Sequence, residues 1–167
     1  PGDYPAFRRA IERFGPGENA PLQIAMSASD MGFVLLDSDG NIIRKQPVGH
    51  AQCLACARFR PELPGRQFVA ITFWGNPGIL NLLDHEGNLL LIREIGWHFK
   101  HPVPIHWRGD GSFLLQNGDE LLDGNLEPTV RLPASKTLAR KPGVYDVNGD
   151  GVDEIMLYID NRLEFYG

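Results

Sequence analysis

A hairpin unit that recurs along the chain limits the possible fold more than any other feature of the sequence. Each copy has an apolar strand ending in Leu-Leu-Asp, a turn with Gly and a second strand: "GFVLLDSDGNIIR", "GILNLLDHEGNLLLI" and "GDELLDGNLEPTV". The pivot residues Asp37, Asp84 and Asp123 lie roughly 40 to 50 residues apart. A Gly after the pivot indicates a tight hairpin whose turn needs a positive φ.

A second series of residues recurs with nearly the same spacing as these pivots. Arg58, His106 and Asp146 each open a polar loop at a nearly constant distance after the preceding pivot. A period of about 40 to 50 residues built from short strands is typical of four-stranded propeller blades. The sequence therefore predicts an all-β chain, a partial β-propeller of about three to four blades. A complete four-bladed ring and a two-sheet β-sandwich are the alternatives that the same hairpins allow.

Only the N-terminal segment "PAFRRAIERFG" has helical periodicity. Its apolar residues recur with i, i+3, i+4, i+7 spacing: Phe7, Ala10, Ile11 and Phe14. We predict a short N-terminal helix and linker over residues 1–20, followed by propeller blades over residues 21–167. Because propellers typically close with four to eight blades, we expect a C-terminal fragment of a larger propeller, with the missing blades as its partner.

Composition narrows the possible partners of the chain. The 167 residues are 43% hydrophobic and 22% charged, which is ordinary for a globular protein. The net charge of -5 argues against nucleic acid, because nucleic-acid binders carry a basic patch. No apolar run approaches the roughly eighteen residues of a membrane span. The N-terminus has neither an initiating Met nor a signal-peptide core, so we expect a processed or truncated piece.

The loop "DVNGDGVDE" near the C-terminus carries oxygen ligands at alternate positions. The predicted set for Ca²⁺ comprises four side chains and one backbone carbonyl: Asp146, Asn148, Asp150, Glu154 and the carbonyl of Val152. An EF-hand is excluded, because its twelfth position needs a bidentate Glu before a helix, and that position is Leu157 in a predicted strand. The alternative is an Asp/Gly-rich turn without a metal.

The only two cysteines follow a histidine at equal spacing, His50-x-x-Cys53-x-x-Cys56. Three such ligands invite a zinc interpretation. Along one strand, however, they alternate between the two faces, so a shared metal would need a bend. Two small buried residues is the interpretation that the spacing favours, and a metal held together with His50 stays open.

Several motifs in the order "GHAQ", "FRPELPG", "FWGNPGI" and "DVNGDGVDE" make most of the chain from Phe33 onward resemble a known group. That group is the β-propeller part of the rhamnogalacturonan-lyase and ulvan-lyase-like polysaccharide lyases. The last loop is similar to the calcium loop of FG-GAP and VCBS repeats. Two departures matter: Arg58 replaces the Asp expected at the head of a metal-binding loop, and the earlier part of the propeller is absent.

The resemblance implies a secreted or periplasmic enzyme that cleaves an acidic, uronate-containing polysaccharide by β-elimination. This chemistry needs a cation for the carboxylate, a base and an acid. His50, which follows Gly49 at the start of a strand, and His101 are the catalytic candidates. Trp74, Asn76 and Arg66 are the substrate-binding candidates. A non-catalytic, FG-GAP-like calcium module that binds glycan or protein is the alternative, and a purely structural repeat is a third possibility.

Overall fold

The computed structural model describes residues 9–96, 102–133, 143–159 and 161–167, and their secondary structure consists of β-strands and turns. The strands are β1 Arg9–Glu12, β2 Gln23–Ser27, β3 Phe33–Asp37, β4 Ile42–Gln46, β5 Ala51–Ala57, β6 Gln67–Thr72, β7 Ile79–Leu83, β8 Leu89–Glu94, β9 Val103–Ile105, β10 Leu114–Asn117, β11 Glu120–Leu122, β12 Pro128–Arg131, β13 Gly143–Tyr145, β14 Glu154–Ile159 and β15 Arg162–Tyr166. The prediction of an all-β chain is confirmed. Within these ranges no helix is long and apolar enough to cross a membrane.

The strands form four antiparallel sheets in which sequence neighbours pair. In the described ranges, three sheets have four strands each, β1–β4, β5–β8 and β9–β12, and the last has the three strands β13–β15. Each predicted hairpin with a Leu-Leu-Asp pivot supplies the last two strands of a four-stranded sheet. The sheets therefore have the size and strand order that the repeat predicts.

The predicted N-terminal helix is wrong over the residues that the structure describes. Arg9–Glu12 form strand β1, which pairs antiparallel with β2 from Arg9 opposite Met26 to Glu12 opposite Gln23. The side chain of Ile11 is 51% exposed, whereas Phe14 just beyond the strand is fully buried. Pairing with β2 and burial of Phe14 outweigh the weak helical preference of the segment, because tertiary contacts routinely override propensity.

The three pivots build the same turn. One carboxylate oxygen of Asp37, Asp84 and Asp123 accepts hydrogen bonds from the amides two and four residues later, at 2.8–2.9 Å. At Asp37 the Asn41 side chain donates a further bond, which is the main reason that the pKa of Asp37 lies below its ordinary value. This short-range hydrogen bonding is the physical basis of the repeat.

The third turn departs from the expected glycine pattern. Gly40 and Gly87 hold the positive φ in the first two turns, at 86° and 80°, but Leu126 holds it in the third, at 61°. Gly124 is needed for a different reason, because a Cβ there would overlap the carbonyl oxygen of Phe59. The expectation that the Gly after each pivot takes the positive φ is therefore wrong for this copy.

The chain divides into two compact units, each with its own core. In the first unit, sheets β1–β4 and β5–β8 share a core that includes Phe14, Phe33 and Phe68, all fully buried. The second unit holds Arg58–Pro61 and sheets β9–β12 and β13–β15, whose core includes Ile105 and Ile155. Burial of apolar area between paired sheets is the main stabilising contribution in each unit.

Candidate functional site

Three segments of the first unit meet at one end of sheets β1–β4 and β5–β8. Ser29, in the turn between β2 and β3, exchanges two backbone hydrogen bonds of 3.0 Å with Ala51 at the start of β5. The carbonyl of His50 accepts the amide of Phe73, which follows β6, at 3.0 Å. The structure therefore places His50 between the turn after β2 and the loop after β6.

Three polar side chains hold the imidazole of His50, whose side chain is only 17% exposed. Its Nδ1 lies 2.7 Å from Oδ1 of Asp30, and its Nε2 lies 3.2 Å from the amide nitrogen of Gln52. A carboxylate accepts and an amide nitrogen donates, so this network assigns the proton to Nδ1 and a lone pair to Nε2. The ring is thus held in the tautomer in which Nε2 can accept a proton.

Ser29 completes the group but is not arranged as a nucleophile. Its Oγ lies 3.3 Å from Nδ1 and 3.2 Å from Nε2 of His50. Because the two distances are nearly equal, the hydroxyl does not point along the lone pair of either nitrogen, as activation of a serine would require. The backbone of Ser29 has a φ of 53°, an uncommon conformation for a residue other than glycine.

Trp74 and Asn76 lie in the loop after β6, next to His50. The indole of Trp74 is 57% exposed and packs edge-on against Phe73, with ring centroids 4.9 Å apart. Thr72 fixes the loop, since its Oγ1 donates to the carbonyl of Asn76 and accepts the amide of Ile79 at 3.2 Å. The printed contact between this loop and His50 is the backbone bond from Phe73, so the structure places the start of the loop at the His50 end of β6.

Arg66 lies at the other end of the same strand. It precedes β6, whereas Trp74 follows it, and a six-residue strand is about 20 Å long. The Arg66 amide donates to the carbonyl of Phe14 at 2.8 Å, and its guanidinium pairs with Glu12 at 3.2 Å. The structure does not bring Arg66 to His50. His101, the second catalytic candidate, lies outside the described residues.

Cys53 and Cys56 are packing residues of β5. Cys53 is fully buried, and the two thiols are not joined in a disulfide. Burial, assisted by the negative charge of Glu12, raises the pKa of the Cys56 thiol to about 12. In the described part of the chain, no three His, Cys, Asp or Glu side chains converge as a metal site would require. Cys53 agrees with the interpretation of a small buried residue, whereas Cys56 is half-buried and packs against the core of the first unit.

The raised pKa of the Cys56 thiol predicts that it reacts slowly with alkylating reagents. Because only the thiolate is nucleophilic, we expect Cys56 in the folded protein to react with iodoacetamide at pH 8 about a thousandfold more slowly than a cysteine of ordinary pKa. Mass spectrometry of timed samples measures the rate, and the same chain in urea is the control. Rapid labelling of Cys56 under native conditions would contradict the described burial.

The predicted calcium loop wraps around the carboxylate of Asp146. Oδ1 of Asp146 accepts the amide of Gly149 at 2.7 Å and that of Asp150 at 3.1 Å, and Oδ2 accepts the amide of Gly151 at 3.0 Å. Glu154 closes the loop, with one oxygen 2.8 Å from the amide of Val147. The donors are of the hard oxygen type that Ca²⁺ prefers, and carboxylate oxygens retain lone pairs beside these bonds.

His106 and Asp153 tie this loop to its neighbour, a role that the sequence analysis missed. Oδ2 of Asp153 accepts the amide of His106 at 2.7 Å, and the Asp153 amide donates to the His106 carbonyl at 2.9 Å. Nδ1 of His106 lies 2.6 Å from the carbonyl oxygen of Gly151. The repeat could have predicted this contact. His106 and Asp146 occupy equivalent positions in it, and equivalent loops in successive sheets lie side by side.

No family model matches the sequence, and no curated protein matches it. Solved structures do. The chain is similar to the Bacillus licheniformis rhamnogalacturonan lyase PL11 with a TM-score of 0.68, and to the rhamnogalacturonan lyase YesW with a TM-score of 0.69. Each alignment has 18% identity and covers 95% of this chain and 28% of the lyase. The Dos1 propeller is similar at 14% identity with a TM-score of 0.54, covering 96% of this chain and 46% of that one.

These likenesses concern the fold. The chain has a β-propeller-like architecture, which confirms the predicted fold class. It spans less than a third of the length of either lyase.

Proposed function

We propose that this chain forms part of a secreted, lyase-like β-propeller that cleaves a uronate-containing polysaccharide by β-elimination, with the remaining blades of the propeller as its structural partner. The observation that carries the proposal is the hydrogen bonding of His50, in which Asp30 contacts Nδ1 and the lone pair lies on Nε2, where it accepts the Gln52 amide. The carbonyl of His50 accepts the amide of Phe73, the residue before the exposed Trp74. The fold likeness to two rhamnogalacturonan lyases supports the same class of substrate.

The chemistry that His50 would perform is proton abstraction. A base takes the proton from the carbon next to the uronate carboxylate, the glycosidic oxygen leaves from the neighbouring carbon and receives a proton from a general acid or water, and a double bond forms between the two carbons. Asp30 stabilises the imidazolium that results, because its carboxylate lies 2.7 Å from the protonated Nδ1. Proton transfer by a positioned residue typically contributes about 10² to 10⁴ in rate.

The test is to incubate the protein that carries this chain with a panel of uronate polysaccharides and to record ultraviolet absorbance. Elimination creates an unsaturated uronate that absorbs, whereas a hydrolase produces new reducing ends without this absorbance. If reducing ends appear without ultraviolet absorbance, the protein cleaves the polysaccharide by hydrolysis, and the proposed elimination is rejected. Absence of both signals over the whole panel would reject catalysis.

The second candidate is a non-catalytic, calcium-binding module that binds glycan or another protein. A lack of positive side chains around His50 favours this candidate. The segments that meet there, 28–32, 47–52 and 72–79, contain no Lys or Arg. Elimination needs a cation at the carboxylate, and for the lyase that group must come from outside these segments. Binding of polysaccharide without any unsaturated product would favour this candidate.

We also propose that the loop from Asp146 to Glu154 binds one Ca²⁺. The residues that would hold it are Asp146, Asn148, Asp150, Glu154 and the carbonyl of Val152. Support comes from the oxygen-only donor set and from the way the loop already curls around Asp146. No three of the described His, Cys, Asp or Glu side chains converge as a metal site would require, so a bound cation would have to draw the three carboxylates of the loop together, and it would offset their charge.

Calcium at a hundredfold excess over its Kd is expected to stabilise the fold by about 2.7 kcal/mol. For a chain of this size the corresponding rise in Tm is roughly 5–10 °C. We expect chelation to reverse the rise and Asp150→Ala to abolish it. Asp39→Ala, which removes an exposed carboxylate from the turn between β3 and β4, serves as the matched control and should keep the full response. If neither calcium nor chelator changes the Tm, the loop is a polar turn that does not bind the metal.

A further inference from the structure

Strand β15 has one edge that no described strand covers. The strand order of its sheet is β13-β14-β15, so β15 pairs with β14 on one side only. The strands at the same place in the other three sheets are β3, β7 and β11, and each of them is paired on both sides. The backbone groups on the open edge of β15 can therefore pair with a further strand.

The pairing of β15 with β14 is regular, which leaves the open edge straight. Five consecutive residue pairs join the two strands over Arg162–Tyr166 without a shift in register. The outer strands β4, β8 and β12 each pair with the preceding strand through a register shift, and β12 begins with Pro128. Bulges and prolines are two of the means by which proteins keep a strand edge from pairing with another chain. The edge of β15 has neither.

Two large apolar side chains of β15 are exposed, Leu163 at 58% and Phe165 at 50%. Tyr158, which lies opposite Leu163 on β14, is 48% exposed. Ile159 and Arg162 are paired and only two residues separate them, so a backbone hydrogen bond joins this pair. Because hydrogen-bonded and non-hydrogen-bonded pairs alternate along an antiparallel ladder, the backbone groups of Leu163 and Phe165 face the open edge.

The charges of β15 match those of the same strand in a second copy of the chain. Two β15 strands can pair antiparallel about a two-fold axis that passes through Leu163, Glu164 or Phe165. An axis at Leu163 sets Arg162 opposite Glu164 of the second copy, and it does so twice. An axis at Glu164 sets two carboxylates opposite each other, which is unfavourable. An axis at Phe165 sets Glu164 opposite Tyr166 and forms no ion pair.

We propose that β15 pairs antiparallel with β15 of a second copy about an axis at Leu163, so that two three-stranded sheets join into one sheet. Arg162 and Glu164 then form two cross-strand ion pairs. The two Leu163 side chains meet on the axis and extend the apolar row that begins at Tyr158. The contact uses a strand edge and not the faces by which propeller blades pack, so it does not depend on the proposed elimination.

Sedimentation of the 167-residue chain over a range of concentrations measures the dissociation constant of this dimer. We expect a reversible species of twice the chain mass of 18.6 kDa. Leu163→Lys sets two ammonium groups on the axis and should weaken the dimer by about a hundredfold or more. Ile42→Lys on β4 replaces an apolar side chain of the same 58% exposure and should leave the constant within about twofold.

Two charge reversals test the register. Arg162→Glu leaves β15 with two acidic side chains, and Glu164→Arg leaves it with two basic ones. Each variant alone should dimerise about tenfold more weakly, because like charges face each other. An equal mixture should form mixed dimers at least as tight as those of the parent chain, because every cross-strand pair then has opposite charges. Lys45→Glu, on the exposed part of β4, is the charge control.

Glu164→Arg also removes the acceptor of the Tyr166 hydroxyl, so the Tm of each variant is recorded as a check on folding. A chain that stays monomeric at every concentration, or a dimer that Leu163→Lys leaves intact, would overturn the inference. Charge variants that do not regain association on mixing would overturn it as well. Slow hydrogen exchange of the Leu163 and Phe165 amides in a monomer would show that another segment of the same chain covers the edge, and that result also rejects the second copy.

Discussion

Replacement of Phe68 by alanine is expected to lower the free energy of unfolding by about 3–5 kcal/mol. Phe68 lies in β6 and is fully buried between the two sheets of the first unit. Its ring meets Phe14 edge-on at 4.7 Å between centroids and Phe33 at 5.0 Å. Truncation removes both aromatic contacts and leaves a cavity that the two sheets can close only in part.

Urea denaturation followed by circular dichroism measures this loss. Ile92→Ala on β8, whose side chain is 56% exposed, is the matched control and should change stability by no more than about 0.5 kcal/mol. If Phe68→Ala does not fold, Phe68→Leu replaces it, because it removes fewer buried atoms. A loss below about 1 kcal/mol for Phe68→Ala would mean that β6 does not occupy the described core.

Replacement of His50 by alanine is expected to lower the rate of polysaccharide elimination by about 10² to 10⁴ without unfolding the protein. The imidazole is the side chain in the described segments at this end that most often serves as a general base in enzymes. Removing it would deprive the proposed reaction of its proton acceptor, whereas the backbone bond from Phe73 to the carbonyl of residue 50 remains. The loop that carries Trp74 should therefore stay in place.

The absorbance assay measures turnover, and the Tm of each variant reports folding. His50→Gln keeps a hydrogen-bonding side chain that cannot titrate, so it should be nearly as slow as His50→Ala. His106→Ala removes a histidine from the second unit and should retain most of the activity. Wild-type turnover in His50→Ala would show that His50 is structural and that another residue, such as His101, is the base.

The hairpins with Leu-Leu-Asp pivots could be predicted because their causes are local. An aspartate that accepts two amides within four residues and a Gly with positive φ act in the same way in each copy, so the pattern is visible as a repeat. The oxygen ligands of the last loop are also local in sequence, and so the calcium hypothesis needed no structure.

Long-range pairing decided what the sequence left open. Arg9–Glu12 is a strand because β2 lies beside it, a contact that helical periodicity cannot reveal. Asp30 belongs to the site of His50 only because the turn after β2 pairs with the start of β5, twenty residues away. Arg66 and Trp74 flank the same strand and are thereby kept at opposite ends. The repeat and its turns depend on hydrogen bonds between residues that are close in sequence. The set of residues at the site depends instead on which strands the fold places together.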